Sequence, residues 1–205
     1  MNLKERMYQL KHLREVKHTP LDPNGPGVVR IFLVPPRPSK LGHPCVVILN
    51  GRDILPLNHA WATCSRELTE EPTVGLAAAT ALLKELLATE KIDLDRVYGA
   101  GISMGGYGTW ELITRNYELF AAAIPVCGAG IPSLAHRLVN IAIWAFHGEK
   151  DNTVPPQGSR DMVEAIKSAG GEKIRYTEFP GVWHDSWIPA YKTEGLVDWL
   201  FEQHK

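Results

Sequence analysis

The stretch Arg96-Val-Tyr-Gly-Ala-Gly-Ile-Ser-Met-Gly-Gly-Tyr-Gly-Thr-Trp110 constrains this chain more than any other. Residues 97–102 form an apolar run that reads as a buried strand. The run breaks at Gly101-Ile102-Ser103-Met104-Gly105, and residues 107–115 then read as a helix. Strand, sharp turn and helix in that order are the setting in which G-x-S-x-G lifts a serine hydroxyl clear of a sheet. A serine at such an apex is forced into strained backbone, and its neighbours two residues either side must lack side chains to avoid collision. The helix that follows turns its positive end toward the hydroxyl. A glycine-rich turn that merely joins a strand to a helix has the same local pattern, so the rest of the chain has to decide.

The rest supplies an α/β pattern. Residues 8–18 alternate as an edge strand, 22–27 are dense in turn residues, and 28–34 read as a strand halted by Pro35-Pro36. Residues 45–49 are a continuous apolar run, the mark of a central strand buried on both faces. Helical patterns follow at 58–70, stopped by Pro72, and at 73–90. The second puts Leu76, Ala79, Leu82, Leu83, Leu86 and Leu87 on one face, with Thr73 as its cap. Further strands are expected at 121–127, 141–147 and 173–179. Helices are expected at 157–169, between Pro155-Pro156 and Gly170-Gly171, and at 194–203. Strands alternating with helices imply a mostly parallel twisted sheet with helices on both faces. At 205 residues, without repeats or a compositional break, residues 1–205 read as a single domain.

Bulk properties narrow the function. The net charge is −1 with no basic block, which argues against nucleic acid or an anionic membrane as partner. The longest apolar run is too short to cross a bilayer. The charged segment 1–6 is not followed by an apolar core, so no signal peptide is read and a cytoplasmic location is the default expectation. Cys45, Cys64 and Cys127 are odd in number and lack a C-x-x-C pair, which argues against a disulfide scaffold or a metal site. Cys45 and Cys127 read as small buried hydrophobes.

In a parallel sheet, ligands sit beyond the carboxyl ends of the strands. Polar residues fall there at 50–53, at Ser103-Met104, at Asp151 and at His184. A serine hydroxyl is a weak nucleophile until a base takes its proton, and imidazole titrates in the right range. The imidazole needs a carboxylate to fix its tautomer and balance its charge. For a serine on this kind of turn the chain order is Ser, acid, His, which Ser103, Asp151 and His184 satisfy. His147 lies inside a strand and before the acid, so it reads as structural. His59, His136 and His204 lie on helical or terminal segments. Asp185 adjoins His184 too closely to face it, and Asp161 lies on the exposed side of a helix. Asp151 has a second reading, as the cap of a turn. The N–H of Met104 is the first candidate donor to an oxyanion, and the loop after strand 45–49, at Arg52, is the second. Tyr107, Trp183 and Trp187 flank these residues, either as an aromatic substrate wall or as plain core.

Together, Gly101-Ile-Ser-Met-Gly-Gly-Tyr-Gly-Thr-Trp110, Ala145-Phe-His-Gly-Glu-Lys-Asp151 with Val154-Pro155, and Gly181-Val-Trp-His-Asp-Ser-Trp187 resemble the α/β-hydrolases. More narrowly, they are similar to the carboxylesterase, predicted-peptidase and prolyl-oligopeptidase-like branch, related to the dienelactone hydrolases. The resemblance implies a compact sheet fold without a cap domain, with Ser103 as nucleophile, Asp151 as acid and His184 as base. It implies hydrolysis of small carboxylic esters through an acyl-enzyme, with a small-molecule ester as partner and no cofactor. Dienelactone hydrolases share the fold but carry cysteine where this chain has Ser103. Two departures stand out. Asn50-Gly51 replaces the family's His-Gly, and the span 51–96 lacks an obvious strand. Either one strand is missing or segment 52–57 is rebuilt, and a missing strand would make stability depend on association, as in a homo-oligomer. A peptidase or amidase, and a non-catalytic binding protein on the same scaffold, are the competing readings.

Overall fold

A computed structural model of the chain describes residues 14–18, 29–33, 43–49, 72 and 74–205. The strands are β1 (Arg14–His18), β2 (Val29–Leu33), β3 (His43–Leu49), β4 (Ile92–Ile102), β5 (Ala122–Val126), β6 (Ala142–Gly148) and β7 (Ile174–Phe179). They form one sheet in sequence order. β1, β2 and β3 pair antiparallel, and every pairing from β3 to β7 is parallel. The helices are α1 (Val74–Thr89), α2 (Met104–Arg115), α3 (Gln157–Ser168), α4 (Trp187–Ala190) and α5 (Leu196–Glu202). Short 3₁₀ turns cover Tyr117–Leu119 and Pro132–Leu138.

The parallel strands are sorted by period 2 into two cores. On one face Val97, Ala123, Ile143 and Ala145 pack with Leu76, Leu83, Leu112, Ile113, Met162 and Ile166 from α1, α2 and α3. On the other, Tyr98, Ala100, Ala122, Ile124, Val126 and Phe146 meet Leu196, Trp199 and Leu200 of α5. β5 is buried on both faces along its whole length. Arg175 lies 5.2 Å from the Trp144 ring and 5.6 Å from the Trp199 ring, closing the second core toward β7. α3 stops as its glycines require. Gly170 has φ 94, its N–H donates to Lys167 O, and the Gly171 N–H reaches Ile166 O. That pairing is the Schellman ending of a helix.

The structure settles the question of the absent strand beside β3. β2 is bonded to one edge of β3, with Ile31 opposite Val47 and Leu33 opposite Cys45, and β4 is bonded to the other. Both edges are taken, so no further strand fits there. Segment 52–57, the predicted helix 58–70 and the Thr73 cap lie outside the described residues. β4 starts at Ile92, earlier than its apolar run suggests, because polar side chains hide its first half. Asp93 is buried there and accepts hydrogen bonds from the Asp95 N–H at 3.1 Å and from Arg96 Nε at 2.7 Å. Among the described residues, no helix is long and apolar enough to cross a membrane.

Candidate active site

Ser103 follows the last residue of β4 and precedes the first residue of α2, with φ 55 and ψ −117. That left-handed φ is rare for a residue with a side chain and is held by the elements on either side. The Ser103 N–H donates to Val126 O on β5 at 2.9 Å, and Ser103 O accepts from the Tyr107 N–H at 3.0 Å. A Cβ on Gly101 would stand 2.2 Å from Gly105 O, which explains the first glycine of the motif. The additional glycine, Gly106, has a different cause. A Cβ there would stand 2.3 Å from Val126 O, because α2 begins almost in contact with the end of β5. Met104 is the first residue of α2, so its N–H has no acceptor within the helix.

Asp151 lies just past β6, and His184 lies in the loop after β7. The structure brings them to Ser103, at the carboxyl end of the sheet. Ser103 Oγ is 2.8 Å from His184 Nε2, and His184 Nδ1 is 2.7 Å from Asp151 Oδ2. An Nδ1–H donated to the carboxylate leaves Nε2 as acceptor for the serine proton. The two oxygens of Asp151 have different partners. Oδ1 accepts the N–H groups of Thr153 at 3.0 Å and Val154 at 2.9 Å, fixing the turn, while Oδ2 faces the imidazole.

The loop carrying His184 is tied to the turn carrying Asp151. Glu149 N–H donates to Phe179 O at 3.1 Å, and Lys150 N–H donates to Val182 O at 2.9 Å. In return, the Gly181 N–H reaches Glu149 Oε2 at 2.7 Å. Gly148 permits this approach, since a Cβ would lie 2.2 Å from Trp183 O.

His147 is fully buried and structural, as its place in the strand suggests. Its Nε2 is 2.9 Å from Val154 O and its Nδ1 is 2.8 Å from Ser159 Oγ. Nε2 also lies 3.4 Å from Asp151 Oδ2, so this ring packs behind the acid. Burial pushes the His147 imidazole below its ordinary pKa, against the opposing pull of the Val154 carbonyl and the Asp151 and Glu178 charges.

The three aromatic candidates part company. Trp187 packs edge-on to the His184 ring, with centroids 5.6 Å apart and planes at 88°, and also rests against the second core. Trp183 is 54% exposed, which rules out the plain-core reading for it. Tyr107, half-buried on the first turns of α2, stays near Ser103 through its backbone. Arg52 lies outside the described residues.

Sequence reasoning missed one neighbour of the site. Cys127, one residue beyond β5, has φ 40, and besides Ser103 it is the only described non-glycine residue with positive φ. Its thiol sits within 4.8 Å of ligand atoms of both Asp151 and His184. As a lone cysteine after an apolar run it carried no linear signal beyond burial.

Comparison with known proteins agrees with this fold. The sequence profile of the dienelactone hydrolase family matches residues 58–188. No curated protein matches the chain in sequence. The solved structure of a thermostable esterase is 33% identical, with a TM-score of 0.78, and the match covers 97% of this chain. This chain spans 64% of that esterase's length. An acylaminoacyl peptidase from Pyrococcus horikoshii (16% identity, TM-score 0.64) matches over 98% of this chain and 43% of its own. A putative dienelactone hydrolase from Klebsiella pneumoniae (16%, TM-score 0.59) matches over 93% of this chain and 99% of its own. The last two share the fold. With its parallel sheet, covering helices and turn-borne serine, the chain belongs to the dienelactone hydrolase family of the α/β-hydrolases.

Proposed function

We propose that the protein is a serine hydrolase that cleaves small carboxylic esters through an acyl-enzyme. The observation that carries this reading is the unbroken run of short contacts from Ser103 Oγ through both nitrogens of His184 to Asp151 Oδ2. In the proposed reaction, His184 Nε2 takes the Ser103 proton as Oγ attacks the ester carbonyl. The tetrahedral oxyanion accepts a hydrogen bond from the Met104 N–H, with a second donor proposed at Arg52. His184 then returns the proton to the leaving alcohol, and water repeats the cycle on the acyl-enzyme. Asp151 keeps Nδ1 protonated and balances the imidazolium charge throughout. The helix dipole of α2 favours the same negative charge. Trp183 and Trp187 are proposed to line the side of the site next to the base.

Incubation with a fluorophosphonate, followed by mapping of the modified residue, tests the reading. Labelling at Ser103 is expected, absent in Ser103→Ala and sharply reduced in His184→Ala. A folded protein that is not labelled would leave a binding role instead. Turnover of an ester and an anilide of one acyl group separates esterase from amidase, since the amide has the poorer leaving group. Faster turnover of the ester is expected.

A further inference from the structure

The thiol that sequence reasoning set aside as core stands against the acid and base of the site. Cys127 Sγ and ligand atoms of Asp151 and His184 all lie within 4.8 Å of one another. A thiolate, an imidazole and a carboxylate are together the donor set of tetrahedral zinc. With metal–ligand distances of about 2.0–2.3 Å, tetrahedral coordination needs donors about 3.3–3.7 Å apart. Cys127 lies one residue beyond β5 and Asp151 three beyond β6, both buried, while His184 sits on a loop with its side chain 24% exposed. A second observation points the same way. Ser186 Oγ is fully buried and has no hydrogen-bond partner. It faces the Cys127 thiol. A hydroxyl left unpaired in the interior is costly, and a metal-bound thiolate beside it would give it an acceptor.

We propose that Cys127, Asp151 and His184 form an inhibitory site for a thiophilic divalent cation such as Zn²⁺, with the Ser186 hydroxyl donating to the bound thiolate. Binding forms a metal–sulfur bond and releases the thiol proton to solvent, with no change of oxidation state. Whichever ring nitrogen ligates, the relay is broken. Ligation at Nε2 removes the acceptor for the Ser103 proton, and ligation at Nδ1 replaces the hydrogen bond to Asp151. The cation therefore competes with the active arrangement of His184 and is removed by a chelator. This regulation rests on the serine hydrolase reading of the same three residues. The metal contacts themselves do not require Ser103.

The test uses the full chain, with Zn²⁺ for inhibition of ester turnover and Cd²⁺ for the ultraviolet charge-transfer band of a cadmium–thiolate bond. Zn²⁺ should inhibit the wild type, with activity restored by chelation. Cys127→Ala should keep basal turnover, lose the Cd²⁺ band and need far more Zn²⁺ for the same inhibition. Its shift should exceed the roughly 10–100-fold that loss of an outer-shell partner costs, and Ser186→Ala should fall within that range. Cys64→Ala should behave as wild type. Ser103→Ala should lose turnover yet retain the band. A wild type whose turnover Zn²⁺ leaves unchanged, or equal sensitivity in folded Cys127→Ala, overturns the proposal. If Cys127→Ala does not fold, an unchanged Zn²⁺ sensitivity in Ser186→Ala overturns it instead. A Cys127-dependent band in a chain with no turnover would instead overturn the hydrolase reading while leaving the metal site in place.

Discussion

Asp151 divides its work between its two oxygens, one for the turn and one for His184. Asp151→Asn keeps the size of the side chain but can present an N–H₂ to the ring, favouring the wrong tautomer. A loss of about 10⁴ in kcat is expected, with a much smaller change in substrate binding. Steady-state ester kinetics measure both. His147 is a matter of stability. The folded ring resists protonation, so the unfolded chain takes up the extra proton first. Its contribution is intact above about pH 6.5, the free histidine value, and is lost as pH falls from there through the lower folded-state value. Tm followed from pH 8 to 5 should therefore fall less steeply in His147→Gln than in the wild type; parallel curves would assign the acid loss to other groups. At this scale the meeting of the candidate residues was largely legible. Ser103, Asp151 and His184 follow from chain order and strand ends. Cys127 was not legible, because its nearness to the base comes from a parallel strand bringing residue 127 beside residue 103, which no spacing along the chain encodes.

Among the elements, the junction between β6 and the loop after β7 is the one most exposed to a single methyl group. Gly148→Ala would place a Cβ against the Trp183 carbonyl, and since that atom is backbone, the loop must move. The loop carries His184, and misplacement by an ångström can cost about 10²-fold in rate. The expected outcome is a large fall in kcat with only a modest fall in Tm, read by activity and thermal melts on the same sample. The strands from 97 onward were readable because apolar runs and turn residues punctuate them cleanly. The first half of β4 was not, because Asp93, Asp95 and Arg96 satisfy one another within a strand. α4 was not readable either. Four residues offer no helical period, and that helix is set by its place between the His184 loop and the second core.

At the level of the whole molecule, burial falls away from β5 toward β7. β5 is covered on both faces and paired on both edges, whereas β1 and β7 are edge strands. Native-state hydrogen exchange should find the amides of β5 slowest and those of β7 among the fastest of the parallel strands, because local opening is cheapest where least surface is buried. Uniform protection across the sheet would contradict that gradient. The α/β class and the parallel pairing from β3 onward were legible from the alternation of patterns. The direct β2–β3 pairing was legible only as a shortage of chain between residues 51 and 96. The double duty of Asp151 has a bearing on how such a protein could change over time. Because one carboxylate both shapes the bend and steadies the imidazole, the acid cannot migrate to a neighbouring strand end without the bend being reinvented there. Lengthening the arm, as in Asp151→Glu, would preserve the charge and still forfeit one of the two tasks. On the proposed hydrolase reading, descendants of this chain are free to vary what they cleave long before they are free to move the residue that anchors the cleaving.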